Sequence, residues 1–225
     1  MSSSILDLKN RIDADTSLFA ILQEVRKRAD GDAAHNEAHL LRVALWTKNF
    51  SLGLIPEKNA IAAALLHDFI NVPKNSPDRD RASSLSAEAA EPILLREKFQ
   101  REDIRSIQLA IRDHSFSRGA KPENFLGECL QDADRLEALG AIGIMRVFST
   151  GVKLGAEYFH SADPWAKNRE RDDLHYSVDH FFKKLLTLES TMNTAGGRLE
   201  AKKRTETLRQ FLVSLGEEIG EPCVF

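Results

Sequence analysis

His39 occupies a position where an imidazole is expected to point into the protein. A helix is predicted over about residues 36–50, because apolar residues recur there with helical spacing. The apolar face that carries His39 also holds Val43, Trp46 and Phe50. A single inward histidine is most often a core residue with a hydrogen-bond partner, so other residues must decide its role.

The pair His67 and Asp68 ends an Ala- and Leu-rich run at residues 60–66. This run is too apolar to be anything but a buried helix. An imidazole and a carboxylate are costly to bury side by side unless something compensates them. A divalent cation would compensate both.

Asp134 follows Leu126 and Leu130 at intervals of four residues, which places its carboxylate on a core-facing helical stripe. Three predicted helices therefore direct metal-type ligands inward. Two imidazoles and two carboxylates suit Mn, Fe, Co, Ni or Zn, whereas Mg is less favoured by ligand softness. The alternative for each residue taken alone is a helix cap or a buried ion pair.

Helices are the elements that must position these residues, since apolar residues keep helical period along the chain and no segment alternates like a strand. Glycine and proline separate the helices. We expect an all-α, compact helical bundle: one domain over 1–225, with a core at about 20–150 and a C-terminal extension at about 174–218. Loops are predicted at 71–81 and 159–173, and two amphipathic helices at 176–188 and 198–215.

Composition excludes several classes of partner. The 225 residues are 42% hydrophobic and 29% charged, which is typical of a globular protein, and the net charge is −3. That charge gives no long-range attraction to nucleic acid or to anionic membranes. No signal sequence or membrane span is apparent, so we expect a cytoplasmic protein whose two cysteines form no disulfide.

Three motifs resemble those of a known family. His39-Leu-Leu-Arg-Val, Leu65-Leu-His-Asp and Asp132-Ala-Asp-Arg look like the successive motifs of the HD-domain superfamily of metal-dependent phosphohydrolases. The resemblance implies a helical bundle with a central site for one divalent transition metal, with Mn favoured. It also implies the metal ligands, which are His39, His67, Asp68 and Asp134.

The flanking sequences resemble a bacterial branch of this superfamily that includes a nucleoside triphosphate pyrophosphohydrolase. They read Val72-Pro-Lys-Asn-Ser-Pro-Asp-Arg, His114-Ser-Phe-Ser, Asp134-Arg-Leu-Glu-Ala-Leu-Gly and His180-Phe-Phe-Lys-Lys-Leu-Leu. The resemblance implies hydrolysis of a small phosphorylated substrate, with a nucleoside triphosphate favoured. Phe69-Ile-Asn replaces the Gly-Tyr-Pro signature of the cyclic-dinucleotide branch, so that activity is disfavoured.

Two further histidines are candidates. His114 shares a helical face with Ile107 and Ile111 and is expected to point inward, as a catalyst or as a core residue. His35 precedes His39 by four residues. It is expected either to face the same cavity or to cap the start of the helix. Members of the superfamily with two metals carry additional histidines between the His-Asp pair and the last Asp, and in this sequence His114 is the only histidine between Asp68 and Asp134.

Basic residues are expected to bind the phosphate groups. The loop after the His-Asp pair offers three and later segments offer three more; the set is Lys74, Arg79, Arg81, Arg118, Lys121 and Lys184. Lys74 is favoured because it lies nearest to the pair in sequence. The alternative for each is a solvated surface charge.

The expected mechanism is metal-assisted hydrolysis, with either Asp68 or His114 accepting the proton of the attacking water. The first alternative is a nucleotide monophosphatase or another phosphoester hydrolase with the same metal. The second is an iron oxygenase of the superfamily, which would need histidines that this chain lacks. The third is a nucleotide-sensing module that retains the fold without catalysis.

Overall fold

A computed structural model of the chain describes residues 4–28, 37–70, 72, 81–115 and 118–225. Within these ranges the regular elements are helices, and one isolated bridge joins Glu157 to Tyr176. The all-α prediction is therefore confirmed. The chain divides into two compact units, Met1–Asp134 and Arg135–Phe225.

The first unit is built around one central helix. The helices are α1 (Ile5–Ala14), α2 (Thr16–Lys27), α3 (Glu37–Phe50), α4 (Glu57–Leu66), α5 (Ala82–Arg96), α6 (Arg101–Asp113) and α7 (Phe125–Leu136), of which the last two residues belong to the second unit. Helix α4 packs against α2, α3, α5 and α6. It is buried on all sides from Asn59 to Leu66, because small alanines let four neighbours approach a largely apolar surface. The predicted buried helix is confirmed.

Asn124 attaches the start of α7 to α6. Its side-chain carbonyl accepts the backbone N–H of Gly127 at 2.7 Å, which caps α7, and its amide donates to the carbonyl of Ser106 at 2.9 Å. A Cβ atom at Gly127 would lie 3.4 Å from the Cα atom of Ala110 in α6. The missing side chain thus permits the close approach of α7, the helix that carries Asp134.

The second unit contains α8 (Gly140–Leu154), α9 (Asp179–Lys183), a 3-10 helix (Leu185–Thr191) and α10 (Ala195–Glu218). Four aromatic rings link these elements: Phe148, Tyr158, Phe181 and Phe211. Phe181 and Phe211 are stacked with ring centroids 5.7 Å apart. Phe181 is fully buried and Tyr158 is 61% exposed, so the cluster reaches from the core of the unit to its surface.

The prediction of one amphipathic helix over 176–188 was wrong. The α-helix there ends at Lys183, and Lys184 leaves the helical region with φ −134° and ψ −57°. The buried Leu185 and Leu188 are three residues apart, which matches the three-residue turn of the 3-10 helix that follows. The second predicted helix, 198–215, is confirmed. The observed helix α10 is longer by three residues at each end.

The predicted solvated loop at 159–173 contains a buried anchor. Trp165 is only 4% exposed, and its indole N–H donates to the carbonyl of Glu221 at 2.7 Å. Arg169 of the same segment forms two hydrogen bonds to the buried carboxylate of Asp179. This segment is therefore part of the packed unit.

Two further sequence expectations concern the chain as a whole. Cys129 and Cys223 are both free thiols. Among the described helices, none combines the length and the apolar character that crossing a membrane requires.

Candidate functional site

Side chains from α3, α7 and the end of α4 converge in the first unit. His39 lies in α3, His67 and Asp68 directly follow α4, and Asp134 lies in α7. The Nε2 atoms of His39 and His67 are 3.4 Å apart, and each lies 3.8 Å from Oδ1 of Asp134. Both imidazoles are at most 1% exposed. The structure therefore brings together the side chains for which the sequence predicted a metal.

The spacing of these atoms fits a first-row divalent ion. The ligand atoms of His39, His67 and Asp134 all lie within 4.8 Å of one another. Nitrogen and oxygen ligands bound at about 2.0–2.2 Å in a tetrahedral or octahedral shell would stand roughly 3–3.5 Å apart. The observed separations require only small side-chain shifts to reach that geometry. A cation would also offset the cost of burying these polar groups.

A backbone carbonyl orients the His67 ring. Its Nδ1 lies 2.7 Å from the carbonyl oxygen of Ala64, and because that oxygen only accepts, Nδ1 carries the hydrogen. The lone pair of Nε2 therefore faces the cluster. Burial is the main influence that lowers the pKa of His67 to about 4, against the opposing effect of Asp68. At neutral pH this imidazole is an uncharged ligand, as metal binding requires.

His114 lies beside this cluster at the C-terminal end of α6. Its Nδ1 donates to the carbonyl of Ile111 at 2.6 Å, and its Nε2 lies 3.5 Å from Oδ1 of Asp68. Its ring meets the ring of His67 edge-on, with centroids 4.8 Å apart. The inward orientation predicted for His114 is confirmed, since it is 4% exposed.

The pKa values of the two buried histidines move in opposite directions. Burial alone would lower the pKa of His114, but the hydrogen bond and charge of Asp68 and the charge of Asp134 outweigh it and raise the pKa above its usual value. His67 is held neutral and His114 holds a proton more readily. Such a separation is a common sign of distinct acid–base roles within one site.

Asp68 links the two histidines through its two oxygens. Oδ2 lies 3.4 Å from Nε2 of His67, whereas Oδ1 lies 3.5 Å from Nε2 of His114. His67, Asp68 and His114 thus form a second group of atoms close enough to share an ion. One carboxylate can therefore act as a metal ligand on one side and as a hydrogen-bond acceptor on the other.

Gln131 is a candidate positioning residue that the sequence analysis missed. It lies in α7, one turn before Asp134, and is 1% exposed. Its amide donates to the carbonyl of Asp113 at 2.9 Å and to that of Ala120 at 3.1 Å. Asp113 is the last residue of α6, and Ala120 lies within the connection from α6 to α7. One glutamine therefore joins the end of α6 and this connection to the helix of Asp134, a role that no local pattern could reveal.

Replacing Gln131 by Met is expected to lower kcat by about 10-fold while leaving the metal content unchanged. Methionine keeps the length of the side chain but cannot donate to the two carbonyls, so His114 loses its fixed position. Steady-state kinetics with metal analysis measure the effect. Gln108→Met is the matched control, because Gln108 in α6 also donates to a backbone carbonyl, that of Ala87 in α5, and not to the carbonyls that Gln131 binds. Equal losses in the two variants would contradict the positioning role.

The predicted phosphate contacts are only partly described by the structure. Lys74, Arg79 and His35 lie outside the described residues. Arg81 precedes α5 and is exposed, as is Lys121. Arg118 follows the end of α6 by five residues, and its guanidinium donates to the hydroxyl of Ser84 at 2.7 Å. Lys184 belongs to the second unit, at the end of α9.

Comparison with known proteins gives consistent matches. The family model of the HD domain matches residues 36–139. YpgQ of Bacillus subtilis strain 168 is 33% identical over 161 residues, which is 70% of each chain. The crystal structure of Bacillus subtilis YpgQ in complex with ADP has a TM-score of 0.68 at 28% identity and covers 88% of this chain and 96% of that chain. An HD-superfamily hydrolase from Bacillus thuringiensis has a TM-score of 0.69 at 25% identity, covering 95% and 98%.

Proposed function

The chain belongs to the HD-domain family of metal-dependent phosphohydrolases, and we propose that it hydrolyses a nucleoside triphosphate to a nucleoside monophosphate and pyrophosphate. The observation that carries this proposal is the buried cluster in which the ligand atoms of His39, His67 and Asp134 lie within 4.8 Å of one another. The complex of the related YpgQ with ADP supports a nucleotide as the substrate. The flanking motifs favour the triphosphate.

His39, His67, Asp68 and Asp134 would hold one divalent transition metal, with Mn favoured. When bound, the ion supplies a water of lowered pKa and offsets the negative charge of the phosphoryl oxygens. The neutral state of His67 supports this assignment, and so does the 3.4 Å distance between the Nε2 atoms of His39 and His67.

The reaction at the α-phosphorus exchanges one oxygen for another. A water oxygen forms the new bond to the α-phosphorus, and the bond from that phosphorus to the oxygen shared with the β-phosphate breaks. That bridging oxygen leaves with the pyrophosphate. We assign the proton released by the water to Asp68, which passes it to solvent, because this partly exposed carboxylate lies 3.4 Å from Nε2 of His67 and 3.5 Å from Nε2 of His114.

His114 would position Asp68 and stabilise negative charge during the reaction. Its Nε2 lies 3.5 Å from Oδ1 of Asp68, and this carboxylate raises the pKa of the imidazole against the opposing effect of burial. With Nδ1 committed to the carbonyl of Ile111, the ring has one orientation. A fixed donor near developing charge needs little reorganisation when the reaction occurs, which is the basis of electrostatic stabilisation in active sites.

Lys74, Arg79, Arg81, Lys121 and Lys184 remain predicted phosphate contacts. Lys74→Ala is expected to raise KM or lower kcat for phosphorylated substrates without loss of metal, since an ammonium group binds phosphate and not a cation.

A nucleotide monophosphatase and a non-catalytic nucleotide sensor are the alternatives to the proposed function.

Hydrolysis in ¹⁸O-labelled water tests the position of cleavage. The protein is incubated with Mn²⁺ and a panel of nucleoside triphosphates, and the products are analysed by mass spectrometry. We expect the heavy oxygen in the nucleoside monophosphate and unlabelled pyrophosphate as the second product. Label in free phosphate, or faster release of nucleoside from a monophosphate, would establish the phosphatase alternative. Nucleotide binding without any turnover would establish the sensor.

A further inference from the structure

We propose that Arg118, held at the first turn of α5, binds the β- and γ-phosphates of the substrate and so selects a pyrophosphate leaving group. This inference rests on the proposed function and adds the group that recognises the part of the substrate that leaves. It also distinguishes Arg118 from the other basic residues that were expected to contact phosphate.

Hydrogen bonds tie the two chain segments that leave the cluster to the same turn of α5. The backbone N–H of Ile70 donates to the hydroxyl of Ser86 at 3.0 Å, and the guanidinium of Arg118 donates to the hydroxyl of Ser84 at 2.7 Å. Ser84 and Ser86 both lie within the first five residues of the helix. This turn therefore connects the segment after Asp68 to the segment after His114.

Chain length limits how far this turn can lie from the cluster. Ile70 follows Asp68 by two residues, so their Cα atoms are at most about 7 Å apart. Arg118 follows His114 by four residues, so their Cα atoms are within roughly 14 Å. Asp68 and His114 themselves are in contact. The start of α5 is thus joined by hydrogen bonds to residues that follow Asp68 by two positions and His114 by four, and Nε of Arg118 lies 3.9 Å from Oδ1 of Asp113, the residue before His114.

Arg118 retains hydrogen-bond donors that a phosphate could use. Among the described residues, its polar contacts are the neutral hydroxyl of Ser84 and the carboxylate of Asp113, whose Oδ1 is 3.9 Å away and beyond hydrogen-bond distance. Its side chain is 33% exposed. A guanidinium offers five N–H groups in a plane that suits phosphate oxygens, and within the described residues one of them, on Nη1, donates to the hydroxyl of Ser84.

Arg112 shows the contrast with an arginine that is already neutralised. It forms two hydrogen bonds to Asp113, at 2.7 and 2.8 Å, and a third to Glu123 at 2.5 Å. The bonds to Asp113 are the main cause of its raised pKa. Because both oxygens of Asp113 are taken by Arg112, this carboxylate does not compete strongly with a phosphate for Arg118.

The first turn of α5 itself favours an anion. Within the described residues no side chain caps this 15-residue helix at Arg81, and backbone N–H groups at a helix start carry partial positive charge. Ser83 in the same turn is 4% exposed, and its hydroxyl has no hydrogen-bond partner within the described part of the chain. A buried hydroxyl is rarely left without a partner, which is consistent with a ligand at this turn.

Two substrates that share the α-phosphorus test the proposal. A nucleoside triphosphate carries the β- and γ-phosphates, whereas the p-nitrophenyl ester of thymidine 5′-monophosphate has the same reacting phosphorus without them. Arg118→Ala is expected to lower kcat/KM for the triphosphate by about 10- to 100-fold, as expected for lost hydrogen bonds to a charged group. Hydrolysis of the ester should be unchanged. Equal losses on both substrates, or no loss on either, would overturn the proposal.

Three further variants separate binding from structural support. Arg105→Ala removes an exposed cation from α6 and should leave both reactions unchanged. Ser84→Ala breaks the same hydrogen bond as Arg118→Ala but keeps the guanidinium, so it should retain most of the activity on the triphosphate. If Arg118 only braced α5, Ser84→Ala would reproduce the full loss. Arg118→Lys keeps the charge and should restore part of the activity.

Binding of inorganic pyrophosphate tests Arg118 independently of turnover. Calorimetry with the Mn²⁺-loaded protein should show a dissociation constant that rises about 10-fold or more in Arg118→Ala and stays unchanged in Arg105→Ala. Failure of the proposed function would appear as a wild-type protein that does not convert triphosphates to pyrophosphate. Failure of the present inference would appear as pyrophosphate binding that is equal in the wild type and Arg118→Ala.

Discussion

Asp134→Ala is expected to lose the bound metal and to lower kcat/KM on the order of 10³-fold, equivalent to about 4 kcal/mol of transition-state stabilisation. Asp134 is the carboxylate that approaches both His39 and His67, with its Oδ1 3.8 Å from each Nε2 atom. Without it, the proposed site would keep the nitrogens of His39 and His67 and the carboxylate of Asp68 but lose one of its two negative ligands. His39→Ala, His67→Ala and Asp68→Ala are expected to have similar effects, since each removes a proposed ligand.

Metal analysis, kinetics and circular dichroism measure this effect together. Helical content should stay nearly unchanged, because α7 is still capped by Asn124 and packed against α6. Glu128→Ala is the matched control: Glu128 is another acidic residue of α7, and the proposed ligand set does not include it. A purified Asp134→Ala protein with full metal occupancy and full activity would show that the ligand assignment is wrong.

His114→Ala is expected to lower kcat by about 10²- to 10⁴-fold while the metal remains bound, the range for loss of a group that handles protons or charge in an active site. Its Nε2 lies 3.5 Å from Oδ1 of Asp68, while Oδ2 of the same carboxylate lies 3.4 Å from Nε2 of His67. Its removal frees the carboxylate to rotate and takes away a donor. The combination of retained metal and lost turnover separates His114 from the proposed ligands.

The metal content of the His114 variant decides between two roles. His67, Asp68 and His114 are close enough to share an ion, so a ligand role would appear as lost metal in His114→Ala. In that case the assignment of His114 to charge stabilisation would be wrong. His175→Ala serves as the control, because His175 is an exposed histidine whose side chain is 75% accessible. It should retain both metal and activity.

Local sequence patterns were sufficient for the fold class and for the direction of the main candidate ligands. Helical period places His39 and Asp134 on apolar stripes, and the run before His67 can be buried only as a helix. These conclusions depend on residues a few positions apart, where helix geometry determines which side chains share a face. The structure agrees, since both histidines are almost fully buried and Asp134 contacts them.

Sequence patterns failed where a local preference was overridden by packing. The segment 176–188 has the apolar content of one helix, but the chain changes from α-helix to 3-10 helix at Lys184, where Leu185 and Leu188 are buried. Trp165 lies in a segment whose composition is typical of a loop, yet a contact with Glu221 holds it in the core. Such contacts join residues far apart in sequence, so no short window contains them.

Only the tertiary structure decided how the residues around the cluster divide their roles. Arg112 and Arg118 are equally basic in the sequence, but Arg112 forms hydrogen bonds to the carboxylates of Asp113 and Glu123, whereas Arg118 donates to the neutral hydroxyl of Ser84 and lies 3.9 Å from Asp113. Gln131 is an ordinary polar residue until its amide is seen to hold two carbonyls of the connection after α6. The sequence determines which chemical groups are present and which side of a helix they occupy. Their partners depend on how separate helices pack, and that packing determines charge, orientation and access.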